Sequence, residues 1–66
     1  MNLIEFKVEM VRNNFNQSKL AEAMGLKQSN LSKKLNGVND FTREDIAKAI
    51  KLFNLTPGRI KEIFFN

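Results

Sequence analysis

The sequence predicts an all-α fold of five short helices. Apolar residues recur at three- and four-residue spacing from Leu3 onward, and cap-forming residues stand at Asn16, Thr42 and Thr56. Alternating β-branched runs are missing, and Asn36-Gly37 leads into a polar loop rather than a second strand.

Each helix is justified in turn by its own residues. Leu3, Phe6 and Met10 share one stripe, and Ile4, Val8, Val11 and Phe15 share the adjacent one. The first helix should therefore be amphipathic with a wide apolar face, ending at Asn13-Asn14. Asn16 can cap a second helix from Gln17 to Met24, with Leu20, Ala21 and Met24 buried and Gly25 free to take the left-handed conformation that closes it. A third helix begins at Lys27 or Gln28 and ends at Asn36-Gly37, carrying one narrow apolar stripe of Leu31 and Leu35. Residues 38–41 form a loop. Thr42 with Asp45 three residues later has the form of a capping box, and Ile46, Ala47, Ile50 and Phe53 give the fourth helix its apolar face. Thr56-Pro57 reads as an N-cap followed by proline at the first helical position, opening a fifth helix through Phe64. The neighbours Phe64 and Phe65 cannot both face one core.

Composition narrows the function classes. With 66 residues there is room for one domain around one small core. The chain has no cysteine and no histidine. Disulfides and thiolate metal sites are excluded, as is the commonest general base, and no phosphate-cradling glycine loop is present. An enzyme is not expected, nor is a metal or cofactor. No apolar run approaches the roughly 20 residues that span a bilayer. The N-terminus lacks the basic head and cleavage site of a signal peptide, so the expected compartment is the cytoplasm. A net charge of +4 favours an anionic partner, and its distribution sharpens that. Between Glu22 and Asp40 the only charges are Lys27, Lys33 and Lys34.

Asn16 to Gly37 therefore has the sequence form of a helix-turn-helix, two short helices joined at Gly25. Around Leu31 and Leu35 the third helix offers Gln28, Ser29, Asn30, Ser32, Lys33 and Lys34, with no acid among them. Amides, hydroxyls and ammonium groups pair with base edges and phosphate oxygens, so double-stranded DNA is the first partner to consider.

These residues resemble the Cro/C1-type helix-turn-helix repressors of bacteriophages and bacteria, and among them the small Cro-like phage regulators. The resemblance rests on Asn16-Gln17, Leu20-Ala21, Met24-Gly25-Leu26 and Leu35-Asn36-Gly37 in register. It implies a five-helix lambda-repressor-like DNA-binding domain over residues 1–66, acting as a transcription regulator that reads an operator through the major groove. It assigns base contacts to Gln28 and Ser29, with Asn30 beside them and Lys33 one turn on. The resemblance gives backbone contacts to Gln17, Asn36 and Asn39, with Arg43 joining them, and the acid-free positive stretch adds Lys27 and Lys34 as backbone contacts. Lys27 stands where many members place Ser or Thr, so the third helix is expected to lack a side-chain cap.

A weak homodimer is expected on a palindromic operator, with Ile60, Ile63 and Phe65 as the candidate contacts. The rival expectation is a modulator or antitoxin of the same fold that grips another regulator, such as a repressor, or a toxin. An apolar patch outside the core would favour it.

Overall fold

A computed structural model describes residues 1–65 of the chain. It contains five helices, α1 (Leu3–Arg12), α2 (Gln17–Met24), α3 (Gln28–Leu35), α4 (Arg43–Leu52) and α5 (Pro57–Phe64), and no strand among the described residues. None of these helices is long and apolar enough to cross a membrane.

The helix starts follow from local chemistry. Asn2, Asn16 and Thr56 accept the backbone N–H three residues ahead, from Glu5 (3.1 Å), Lys19 (2.8 Å) and Arg59 (3.3 Å). Thr42 and Asp45 form the full capping box: Asp45 N–H donates to Thr42 Oγ1 at 3.1 Å, and Thr42 N–H donates to Asp45 Oδ2 at 2.9 Å.

The first four helices also end alike. Asn14, Gly25, Gly37 and Asn54 all have positive φ, from 49° to 76°. In each case the next residue donates its N–H back to the last turn: Phe15 to Met10, Leu26 to Ala21, Val38 to Lys33, and Leu55 to Ile50, over 2.9–3.1 Å. This is the Schellman closure, in which a left-handed residue lets the chain satisfy carbonyls the helix leaves orphaned. Three of the four connections are then the same three-residue turn: a left-handed residue, an apolar residue, and the next N-cap. Asn14-Phe15-Asn16, Gly25-Leu26-Lys27 and Asn54-Leu55-Thr56 follow this plan.

Phe6 lies at the centre of the core. Its ring is 4.8 Å from that of Phe41, 5.3 Å from Phe53 and 6.2 Å from Phe64, and Phe15 closes on Phe53 at 5.9 Å. These tilted and edge-to-face arrangements suit aromatic rings, adding to the gain from area burial. Leu20, Ala21, Met24, Leu31, Leu35, Ala49 and Ile63 complete the core. α2 packs on α3 and α4, and α5 packs on α1, where Asn2 N–H donates to the Ile63 carbonyl at 2.6 Å.

Packing corrects two expectations from periodicity. The α4 face is built with Ala49, which is fully buried, whereas Ala47 is exposed; α4 is rolled so that Ile46, Ala49, Ile50 and Phe53 face inward. Of the second α1 stripe only Phe15 closes on the core; Ile4 is 74% exposed and Val11 68%.

Candidate functional site

The site expected from sequence centres on α3, and the core decides which of its sides is free. Leu31 and Leu35 are fully enclosed, so α3 is pinned by two side chains one turn apart. At 100° per residue, Ser29, Lys33 and Asn36 fall on the opposite side. All three are exposed, as are Gln28 and Asn30 at the helix start. Asn36 Nδ2 reaches Ser32 Oγ at 3.4 Å, linking two members of this polar surface. Gln17, Lys27, Asn39 and Arg43 are exposed as well, on α2, in the two flanking loops and at the start of α4.

The beginning of α3 differs from that of every other helix. Lys27 occupies the cap position in extended conformation (φ −68°, ψ 144°) and gives no side-chain bond, as expected from its residue type. The first backbone N–H groups of α3 thus point out of the helix without a side-chain acceptor, at the positive end of its dipole.

Lys34 has to be moved out of this surface. Its place on the acid-free face suggests a contact with the DNA backbone, but its side chain is only 12% exposed and its Nζ pairs with Asp45 Oδ2 of α4. The ammonium lies 5.9 Å from the centre of the Phe41 ring. It is three residues from Leu31, close enough in angle to the apolar stripe to be drawn to the α4 side. Burial raises the Asp45 carboxyl, but the Lys34 ammonium and the Thr42 backbone N–H bind its ionised form and outweigh that, holding it below the ordinary carboxylate value.

A second ionic cluster lies between α1 and α5. Arg59 Nε donates to Glu9 Oε2 at 2.9 Å, and Nη1 donates to Glu5 at 3.0 Å and to Glu62 at 2.8 Å. Nη2 sits 2.8 Å from the same Glu9 oxygen without the alignment of a hydrogen bond. The bonds to Glu62 and then Glu9 raise the guanidinium pKa further above its already high value, against some desolvation. Four of the seven carboxylates are therefore engaged by cations of their own chain. Lys33 has no ion-pair partner among the described residues and stands exposed on α3. Nothing in the local sequence points to Lys48; its Nζ donates to the Met24 carbonyl at 3.0 Å and ties α4 to the negative end of α2.

The expected dimer contacts are also redistributed. Ile63 is fully buried in the core and Ile60 is packed against it, since the inner face of α5 is consumed by α1. Of the three, Phe65 alone remains outside, at 69% exposure.

The whole chain, residues 1–66, matches the family described as "Protein of unknown function (DUF739)", and the chain belongs to it. Comparisons with curated proteins and with solved structures returned no match.

Proposed function

We infer that this member of the DUF739 family is a sequence-specific DNA-binding regulator of lambda-repressor-like architecture, in which α2 and α3 form a helix-turn-helix and α3 enters the major groove. It does no chemistry on the DNA. The observation that carries this reading is the outward side of α3, where Ser29, Lys33 and Asn36 are exposed together without an acid on a helix fixed by Leu31 and Leu35. A recognition surface must be rigid at its base and polar at its tip, because base discrimination depends on holding hydrogen-bonding groups at fixed depth.

The roles divide by chemistry. Gln28 carries both a donor and an acceptor, the pair that matches adenine in the major groove, and Ser29 can reach a neighbouring base. Asn30 stands beside them. Lys33 supplies a cation for guanine or for phosphate, while Gln17, Lys27, Asn36, Asn39 and Arg43 hold the backbone. The uncapped start of α3 adds outward-facing N–H groups for a phosphate oxygen.

The test is a titration of the protein with duplex DNA flanking its own coding region and with random duplex, at two salt concentrations. The expected result is preferential binding to one site, weakening with salt by a log-log slope of about −0.9 per phosphate contacted. Gln28→Ala should cost about 1–3 kcal/mol on the preferred site and little on random DNA. Salt-independent binding, or equal losses on both duplexes, would refute the assignment of α3 as the reading helix.

A further inference from the structure

Ile4, Val8 and Val11 line a shallow apolar groove on the outer side of α1, bordered by Lys7 on one flank and Arg12 on the other. Seven residues separate Ile4 from Val11, about 10.5 Å along the helix, and Val8 lies between them. The stripe borders the ionic cluster on one flank, where Arg12 bonds Glu9 and Glu5 bonds Arg59. It is separate from the α3 surface that carries the functional reading.

We propose that this stripe is the contact between two copies of the chain, joined by an antiparallel pairing of their α1 helices about a two-fold axis beside Val8. Self-complementarity argues for a second copy. Two-fold pairing is isologous, so each residue must suit its own mirror in the sequence. Reversing α1 about a point between Lys7 and Val8 lays Ile4 over Val11 of the second copy and leaves Val8 about 1.5 Å along the axis from its counterpart, so that branched aliphatic side chains meet along the seam.

The charges agree on one flank. By angle, Arg12 and Glu5 lie on the same side of the stripe, and antiparallel pairing sets that side against itself in reverse. Arg12 of each copy then faces Glu5 of the other, so the intrachain pairs Arg12–Glu9 and Glu5–Arg59 are set beside each other across the seam in alternating sign. The opposite flank brings the two Lys7 side chains together; their stems can cover the edge of the seam while the ammonium groups reach water. Three apolar side chains per copy fall well short of the roughly 800 Å² per partner of a stable interface, so the association is weak and concentration-dependent.

The chain contains no cysteine, which makes single-cysteine variants unambiguous probes. On mild oxidation of the free protein without DNA, Val8→Cys is expected to form a disulfide-linked dimer, and a mixture of Ile4→Cys with Val11→Cys to form the mixed dimer in preference to either self-pair. Lys61→Cys, exposed on α5, serves as the collision control, and circular dichroism checks that each variant is folded. Val8→Glu should abolish the concentration-dependent rise in mass seen in sedimentation. Crosslinking no better than the Lys61→Cys control, or self-pairs as efficient as the mixed pair, would overturn the proposal and leave the stripe to a different protein, such as another regulator. Because DNA is absent from every arm, the outcome is independent of whether α3 reads DNA.

Discussion

Lys34→Ala separates the two roles open to that residue. As a phosphate contact, Lys34 could be removed with no loss of stability; as the partner of Asp45, it could not. The side chains of the pair are 12% and 6% exposed, nearer the buried limit than the surface one. Exposed pairs contribute about 0.2–1 kcal/mol, while breaking a buried pair by removing one partner costs about 3–5 kcal/mol. The expected loss is about 2–4 kcal/mol, including the stem and ammonium lost from the Phe41 ring. A domain of this size holds roughly 3–5 kcal/mol in all, so the variant should be close to its unfolding midpoint near room temperature. Chemical denaturation followed by circular dichroism measures this directly. Lys34→Met keeps the stem and should recover part of the loss, and combining it with Asp45→Asn should recover more, because no buried charge is then left alone. The same pair sets an acid limit. Asp45 is held below its ordinary value of 3.8 in the fold, so between the two values the unfolded chain binds the extra proton. The stabilisation is complete above about pH 4 and is lost as pH falls through the lowered value. Asp45→Asn should remove that part of the acid dependence. Unchanged stability of Lys34→Ala, together with a flatter salt dependence of DNA binding, would refute the pairing and restore the phosphate contact.

Two further outcomes follow from the packing and the turns. Leu31→Ala empties a fully enclosed site between α3 and the core and should cost about 2–5 kcal/mol, read as a collapse of the thermal transition; retained melting behaviour would mean that α3 is rolled differently. Gly37 has φ +76°, and a methyl group added there would meet nothing closer than Leu3 Cδ1 at 3.7 Å, so Gly37→Ala isolates backbone strain and should cost about 1–2 kcal/mol. Gly58→Ala, within α5 where an added methyl would meet nothing closer than Thr56 Oγ1 at 4.0 Å, should instead stabilise by about 0.5–1 kcal/mol; equal effects at the two sites would contradict the left-handed closure of α3.

What the sequence made legible was whatever short-range chemistry decides. The caps at Asn16, Thr42 and Thr56 need an acceptor and an N–H three residues apart, and the structure contains all three. The buried faces of α2 and α3 were equally plain, since each has few apolar residues and no rival stripe. α1 and α4 were harder, because each offers more apolar positions than one neighbour can cover. Periodicity locates the candidates; only the packing of the remaining helices shows that Ile4 and Val11 are left outside and that Ala49 replaces Ala47. Long-range partners were out of reach altogether. Lys34 meets Asp45 across 11 residues, Lys48 meets Met24 across 24, and Arg59 meets Glu9 across 50, and a lysine written beside another lysine looks solvated until its partner is known. Among the candidate contacts, Ser29, Lys33 and Asn36 could be placed outside from Leu31 and Leu35 alone, whereas Gln28, close in angle to the apolar stripe, needed the structure, and Lys34 and Ile63 could not be placed correctly.

The repeated three-residue turn supplies the sharpest test of the functional reading. If the same connector joins α1 to α2, α2 to α3 and α4 to α5, then the α2–α3 turn owes nothing special to its backbone, and what distinguishes it is its cap. Asn16 and Thr56 close their turns with a side-chain oxygen; Lys27 does not, although its extended φ and ψ would suit one. Lys27→Ser should therefore install the missing bond and stabilise the protein by about 0.5–1 kcal/mol. A protein that forgoes such a gain is expected to use the position otherwise, because stabilising substitutions at working surfaces commonly carry a functional cost. In the DNA-binding reading, that use is a phosphate held by the Lys27 ammonium and the open N–H groups behind it. The serine hydroxyl would occupy one of those groups and remove the charge, so the salt slope of DNA binding should fall by about 0.9 while the melting temperature rises. Stabilisation with DNA affinity unchanged at every salt concentration would show that the uncapped start of α3 has no part in holding the backbone.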